Sequence, residues 1–279
     1  MQLKKKVAII LFAHNRPSHL RRVLIALEDY KIKNTVYLFL DGPRNNKDKI
    51  IQKEIIFMIK TNKNLNLKFF HSKKNLGVAK SVISGIDKIS NKIKHMIVLE
   101  DDTIPRKEFF NYTFSIIKKD YPKEIAAICG YQLPEIHDKN NKVINALIFD
   151  NFLPWGWSIK STDWKNFRLH YKKEIMKKGK KKMSKLLNLL KNKGSNKRNI
   201  WSIDFMIYNF LTKKKYIFPN KSLVKNIGFD GSGINSKITD RFNTFYTKST
   251  RINIESYNKY NNLINKQSSI LEKVFNFFY

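Results

Sequence analysis

The chain has 279 residues, 42% of them hydrophobic, and a formal net charge of +33. An apolar fraction of this size in a chain of this length predicts a packed α/β protein and argues against a disordered basic tail. Cys129 is the only cysteine, which excludes an intramolecular disulfide and fits a reducing compartment.

The first predicted element is a strand at Val7–Phe12, which follows a lysine-rich start. Its apolar run is short for a secretory signal and leads into His14, Asn15 and Arg16 without a small-residue cleavage site. No other apolar run in the sequence is long enough to span a bilayer. We therefore expect a cytoplasmic protein, either free or held peripherally on the inner face of the cell membrane.

Further strands alternate with helices through the first half of the chain. The pattern predicts a helix at 17–27, a strand at 36–40, a helix at about 47–60, a strand at 67–70, a helix ending near 89 and a strand at 96–99. Such alternation specifies a parallel sheet with right-handed crossovers. No Gly-x-Gly-x-x-Gly follows the first strand, which argues against a dinucleotide cofactor.

Three consecutive carboxylates, Glu100, Asp101 and Asp102, follow the apolar run Met96–Leu99. In open α/β sheets, ligands bind outside the carboxyl ends of the strands, which is where these side chains are expected. Oxygen ligands of this kind suit Mg²⁺ or Mn²⁺, which bridge to substrate phosphates. The alternative is a strand end whose acids cap the next helix. Three acids in a row after a buried strand favour the metal and ligand site.

The second half of the chain is less regular. A strand is predicted at 125–129, and the Phe-Leu-Pro-Trp-Gly-Trp segment at 152–157 predicts an aromatic turn before a helix around 161–167. Trp155 and Trp157 either stack on a ligand or belong to the core. An aromatic-rich helix at 201–211 carries one acid, Asp204, and the glycines of Asn226–Gly233 predict a flexible loop.

The densest basic stretch is Tyr171–Arg198, in which six lysines between 177 and 185 precede a leucine-rich run. Such a segment either lies on an anionic membrane or meets a phosphorylated lipid carrier, or it is a solvated helix with one packed face. Lysines elsewhere are spread over loops and helix faces, so we expect no specific nucleic-acid partner.

In this order, the elements resemble the GT-A fold glycosyltransferases, most closely the N-acetylglucosaminyltransferase I type and bacterial family 2-like enzymes. The resemblance covers Val7–Gly233 and rests on the acidic motif, the aromatic segment and the Trp-x-x-Asp at 201–204. It implies a Rossmann-like, mostly parallel sheet flanked by helices. Residues 1–130 would bind a nucleotide sugar, 131–247 would bind the acceptor and carry the catalytic base, and 248–279 would form a polar extension with an apolar end.

The resemblance also implies roles for individual residues. Glu100 would contact the donor sugar, Asp101 the ribose, and Asp102 would hold Mn²⁺ or Mg²⁺ against the diphosphate. The remaining donor-binding positions lie at the ends of the first three strands: Asn15, Arg16, Asp41, Asn75 and Gly77.

Asp204 falls at the position of the family's catalytic base, which accepts the proton of the attacking acceptor hydroxyl. Burial beside aromatic residues would raise its pKa towards working pH. The alternative is an exposed acid in the first turn of a helix, where the helix dipole favours it.

The resemblance predicts a metal-dependent, inverting transferase that moves a sugar from a nucleotide-diphosphate sugar, with a UDP-sugar as the expected donor. The acceptor would be a cell-surface glycan or a lipid-linked precursor. One alternative is a nucleotidyltransferase that makes a sugar nucleotide, although the first turn lacks the Gly-rich phosphate loop with a nearby lysine that this chemistry favours. The other is a basic nucleic-acid-binding protein, which would need basic residues aligned on one face with interleaved aromatics.

Overall fold

A computed structural model of the chain describes residues 6–138, 142–178, 201–233, 238–244 and 251–253. The strands are β1 (Val7–Ala13), β2 (Val36–Leu40), β3 (Leu67–His71), β4 (His95–Glu100), β5 (Thr103–Pro105), β6 (Ile125–Cys129), β7 (Val143–Phe149), β8 (Trp157–Lys160), β9 (Lys215–Pro219), β10 (Val224–Asn226) and β11 (Arg251–Asn253). The helices are α1 (Pro17–Asp29), α2 (Asn46–Thr61), α3 (Val78–Ser90), α4 (Lys107–Lys118), α5 (Ser161–Lys178) and α6 (Trp201–Leu211).

The strands form one nine-stranded sheet in the order β11-β7-β9-β6-β8-β4-β1-β2-β3, with a separate pair, β10-β5. Strands β1 to β4 run parallel, whereas β8 is antiparallel to both of its neighbours and β7 is antiparallel to β9. The predicted α/β class, with a mostly parallel sheet flanked by helices, is confirmed.

Both faces of the sheet are covered at β1, whose seven residues are all buried. Since side chains alternate along a strand, Ile9 and Leu11 face one core with α1 and α2, while Ile10 and Phe12 face the other with α3. A strand buried on both faces reads as a continuous apolar run, which is why β1 is visible in the sequence.

The order in which the chain adds strands to the sheet reverses at β1. From β1 it steps to β2 and then to β3, and α3 carries it back to β4 on the other side of β1. The loops after β1 and β4 therefore diverge and leave a crevice between them, which is the usual ligand position in open α/β sheets. Arg16, Asp101 and Asp102 lie in these two loops, and Glu100 is the last residue of β4.

The sheet is continuous across the predicted division at residue 130. Strand β6 ends at Cys129 and pairs with β8 and β9, both from the later half of the chain. Within the predicted extension 248–279, Arg251–Asn253 pairs with β7. The domain assignment itself stays a prediction.

Several details of the second half differ from the sequence prediction. The aromatic turn ends at Trp157, which is fully buried and begins β8, so Trp157 belongs to the core. Helix α5 runs to Lys178, well beyond the predicted end. Strands β7, β9 and β10 were not predicted. Their position in the sheets depends on partners distant in the sequence.

Two predictions fall largely or wholly outside the described residues. They concern the basic side chains between 177 and 185 and the apolar C-terminal end. In the part of the chain that the structure describes, no helix combines the length and the apolar character needed to cross a membrane.

Candidate functional site

Arg16 and the acidic motif meet at the carboxyl ends of β1 and β4. These strands are adjacent and in register, with Phe12 opposite Glu100, so the loops that follow them start at the same level. The Arg16 guanidinium donates to Asp101 Oδ1, and its Nη2 also lies 2.8 Å from Asp102 Oδ2. Three of the residues predicted from the sequence are thus brought into one ion-pair cluster.

Together with the neighbouring Glu100, the cluster places three carboxyl groups around one guanidinium. Burial, and then the charges of Asp102 and Asp101, raise the pKa of Glu100 to about 8. Burial also raises the pKa of Asp101, although Arg16 acts in the opposite direction. Burial alone would lower the pKa of Arg16, but the two aspartates hold it above its usual value. The raised pKa values of Glu100 and Asp101 show that Arg16 only partly offsets the cost of charging these buried carboxyl groups, so an added cation would stabilise their charged forms.

The residues present fit a divalent cation only together with a phosphate ligand. Among the described residues, no group of three or more His, Cys, Asp or Glu side chains is placed to hold a metal ion. Asp102 retains 16% side-chain exposure, against 3% for Asp101, so it is the more accessible carboxylate. Mg²⁺ is typically bound by one or two carboxylates plus substrate phosphates, which matches this arrangement. The metal role of Asp102 stays a prediction.

A segment from the far end of the chain closes against the acidic motif. Strand β10 pairs with β5, and the next backbone N–H, that of Ile227, donates to the Asp102 carbonyl at 2.8 Å. A Cβ added to Gly228 would lie 2.2 Å from Asp102 Oδ2, so any other residue here would force the Asp102 carboxylate to move. Asn226 is the last residue of β10, so the predicted loop begins at Ile227. Its flexibility stays a prediction. The sequence carries no signal for this approach.

His19 holds the same segment to α1. Its ring Nε2 lies 3.3 Å from the carbonyl of Ile227 and 3.1 Å from Asp230 Oδ2. Arg16 is the residue just before α1, and His19 lies in its first turn. The start of α1 therefore contacts both the acidic motif and the segment that covers it. Nothing in the sequence pattern singled out this histidine.

Asp41 organises the loop that precedes α3. Its buried carboxylate accepts hydrogen bonds from the backbone N–H groups of Gly42, Leu76 and Gly77, at 2.8–3.0 Å, and from the Asn75 amide at 3.1 Å. Gly77 has φ +79°, a conformation that favours glycine. The predicted residues Asp41, Asn75 and Gly77 are therefore together, and their contact with a nucleoside stays a prediction.

Asn15 joins a second buried carboxylate that the sequence analysis missed. Its amide donates to Asp48 at 2.7 Å, and Arg44 Nε donates to the same carboxylate at 2.8 Å. The hydrogen bonds from Arg44 hold the pKa of Asp48 far below its usual value. Asn45 caps α2 by accepting from the Asp48 backbone N–H, and this Asn-x-x-Asp spacing is the signal that could have marked the helix start.

Gln52 ties the ends of the first three strands together. Its amide nitrogen donates to the carbonyls of His14 at 2.9 Å and Asp41 at 2.8 Å. Its amide oxygen lies 3.2 Å from the ring of His71. The side chain is buried on the inner side of α2, so α2 fixes the relative positions of the loops that follow β1, β2 and β3.

Asp204 lies in the first turn of α6. Its Oδ1 accepts a 2.6 Å hydrogen bond from the Tyr171 hydroxyl. Burial raises the pKa of Asp204, and the Tyr171 hydrogen bond partly opposes that rise. Trp201, which opens the helix, stacks on Trp157 at 5.5 Å, and Trp157 pairs with Val98 of β4. The start of α6 thus packs against β8, the neighbour of the strand that carries the acidic motif. The role of Asp204 as a base stays a prediction.

Comparison with known proteins gives structural likenesses only. No protein-family model and no curated protein sequence matches the chain. A mannosyltransferase from Pyrobaculum calidifontis, solved with GDP-Man and Mn²⁺, is similar over 77% of this chain, at 10% identity and a TM-score of 0.44. The chain spans about half (54%) of the length of that protein.

Two nucleotidyltransferases are similar at the same level. A putative glucose-1-phosphate thymidylyltransferase from Bacillus anthracis, solved with sucrose, has 10% identity and a TM-score of 0.44, covering 87% of this chain and 98% of that one. A cytidylyltransferase from Leptospira borgpetersenii has 13% identity and a TM-score of 0.37, covering 59% and 64%. Structural similarities with TM-scores this low determine neither the family of the chain nor the reaction that it catalyses.

Proposed function

We propose that the chain is a metal-dependent glycosyltransferase of the GT-A type, which transfers a sugar from a nucleotide-diphosphate sugar with inversion. The supporting observation is the cluster of Arg16, Asp101 and Asp102 in the crevice between β1 and β4. A site with an excess of carboxylates is unsuited to a bare diphosphate. It becomes suited to one when a divalent cation lies between the carboxylates and the phosphates.

The donor would lie across the ends of the parallel strands. Asp102 would hold Mn²⁺ or Mg²⁺, which when bound neutralises charge on the departing diphosphate. Arg16 fixes the direction of the Asp102 carboxylate through their ion pair. Asp41 keeps the Asn75–Gly77 loop at the adjacent strand end, where it would form one side of the nucleoside pocket.

In the proposed reaction, an acceptor hydroxyl oxygen attacks the anomeric carbon of the donor while the bond from that carbon to the diphosphate oxygen breaks. The nucleoside diphosphate leaves, and Asp204 accepts the hydroxyl proton. The raised pKa of Asp204 supports this assignment, because a general base works best when its pKa is near the working pH. One displacement gives a product with the anomeric configuration opposite to that of the donor.

The acceptor would be a glycan or a lipid-linked precursor. Trp155 is only partly buried and packs against Phe229, in the segment that follows Gly228. A half-buried indole beside the site offers a stacking surface for a sugar ring.

The test is a panel of nucleotide sugars incubated with Mn²⁺ and a mixture of glycan and glycolipid acceptors, with released nucleoside diphosphate as the readout. A parallel reaction with nucleoside triphosphates and sugar 1-phosphates, read as pyrophosphate, tests the nucleotidyltransferase alternative. We expect diphosphate release that EDTA abolishes and Mn²⁺ restores. Pyrophosphate release without sugar transfer would identify a nucleotidyltransferase. Full sugar transfer in EDTA would show that the reaction needs no metal ion.

Asp102→Asn should lose this activity and weaken donor binding, because the diphosphate loses its counter-charge. Asp29→Asn is the matched control, since Asp29 is an exposed acid at the end of α1. Equal activity of the two variants would place the metal elsewhere.

A further inference from the structure

The outer face of α1 and α2 exposes bulky apolar side chains. Six large hydrophobic residues are exposed in the described part of the chain, and three of them lie on these two helices. Ile25 is 48% exposed on α1, while Ile50 and Phe57 are 67% and 69% exposed on α2. This is a local concentration and not a scatter of single residues.

These side chains share one surface. Ile50 and Phe57 are separated by seven residues, about two helical turns, and so lie on the same side of α2. An ion pair between Arg21 and Glu54, at 3.3 Å, joins the outer faces of the two helices. Ile25 and Phe57 each lie about one turn beyond this ion pair, in the same direction along their helices. We call this surface the α1–α2 face.

The α1–α2 face is strongly basic. Its exposed acids on the two helices are Asp29 and Glu54, and Glu54 is already paired with Arg21. Its exposed basic residues are Arg21, Arg22, Lys47, Lys49, Lys53 and Lys60. Exposed apolar side chains flanked by lysines form the pattern of a helix that lies in a membrane interface.

We propose that the α1–α2 face binds an anionic lipid surface, with Phe57 and Ile50 entering the headgroup layer and the flanking lysines facing lipid phosphates. A second copy of the chain is disfavoured, because two such faces would bring like charges together. A nucleic acid would use the charge but has no apolar layer to accept these exposed side chains. The proposal does not depend on the reaction that the enzyme catalyses.

The test is co-sedimentation of the full chain with vesicles of phosphatidylcholine containing phosphatidylglycerol, and with vesicles of phosphatidylcholine alone. We expect binding to the anionic vesicles only, with release by salt. Phe57→Ser should weaken that binding about tenfold, because an aromatic side chain no longer leaves water. Leu169→Ser is the matched control, since Leu169 is 73% exposed on α5, and it should bind as the wild type does.

Phe57→Ser changes no charge, so it separates insertion from adsorption of a basic protein. Equal vesicle binding by the Phe57→Ser and Leu169→Ser variants would overturn the proposal. Binding of duplex DNA is measured in parallel for the wild type and the two variants. If Phe57→Ser weakens DNA binding as much as vesicle binding, the α1–α2 face is a nucleic-acid surface and the lipid proposal is wrong.

Discussion

The backbone of Gly228 lies against the carboxylate of Asp102, although 126 positions separate them in the sequence. A Cβ on Gly228 would lie 2.2 Å from Asp102 Oδ2, well inside van der Waals contact. The pairing of β5 with β10 fixes this approach. The covering segment and the proposed metal ligand are therefore in direct contact.

Gly228→Ala should weaken binding of a nucleoside diphosphate with Mn²⁺ about tenfold, or about 1.4 kcal/mol, because it displaces the carboxylate proposed to hold the cation. Isothermal titration calorimetry measures this, and Gly228→Val should weaken binding further. Lys225→Ala, at an exposed position of β10, is the control. Unchanged affinity in Gly228→Ala would show that Asp102 does not take part in donor binding.

Arg16→Met should destabilise the fold, because it leaves Asp101 buried without its counter-charge. Removing one partner of a buried ion pair typically costs about 3–5 kcal/mol of unfolding free energy. Arg21→Met breaks an exposed ion pair with Glu54 and should cost about 1 kcal/mol or less. Urea denaturation measures both, and equal losses would contradict the ion-pair argument.

Asp204→Asn should lower kcat by about a hundredfold or more with little change in donor affinity, since the amide keeps the shape but cannot accept a proton. Circular dichroism verifies the fold, and the product should have inverted configuration. Near-normal kcat, or a product of retained configuration, would remove Asp204 from the mechanism.

Tyr171→Phe tests the same site by pH. The Tyr171 hydrogen bond lowers the pKa of Asp204, so its removal should raise that pKa. A base acts only when deprotonated, so activity should be lost at a higher pH on the acidic side in this variant. The readout is kcat/KM against pH, and an unshifted acidic limb would contradict the role of Asp204.

His95 should make the protein sensitive to mild acid. Burial lowers the pKa of His95 from 6.5 to about 4, with Lys94 and Lys160 adding to the effect and Asp120 opposing it. Between those values the unfolded chain binds a proton that the folded protein does not, so stability falls as pH falls through this window. The loss should reach about 3 kcal/mol near pH 4.

The measurement is the urea midpoint from pH 7 to pH 4 for the wild type and for His95→Phe, whose curve should be flatter. His170→Asn, an exposed histidine on α5, is the control and should follow the wild type. Parallel curves for wild type and His95→Phe would contradict the assignment.

The first four strands could be predicted from sequence because each is a local feature. Val7–Phe12 and Met96–Leu99 are apolar runs bounded by polar turns, and a parallel strand buried on both faces requires that pattern. The same locality made the acidic motif and Arg16 predictable, since the motif begins at the last residue of β4 and Arg16 lies in the short turn after β1.

Features that depend on pairing distant segments were missed. Trp157–Lys160 is a four-residue strand preceded by Pro154 and Gly156, so the sequence there indicates a turn. Its strand character comes from its partners β4 and β6. The approach of Gly228 to Asp102 similarly depends on a non-local strand pair, and no residue pattern near Gly228 encodes it.

Strand β6 has consequences for how the chain folds during synthesis. Its neighbours in the sheet, β8 and β9, are both made after it, and β4 has β8 on the side away from β1. A nascent chain ending near residue 130 would therefore carry an unpaired β6 and an open edge on β4, which is a template for aggregation. The sheet can close only when Trp157–Lys160 inserts between them, so folding of the two halves is interdependent, with a slow, non-local step at their junction.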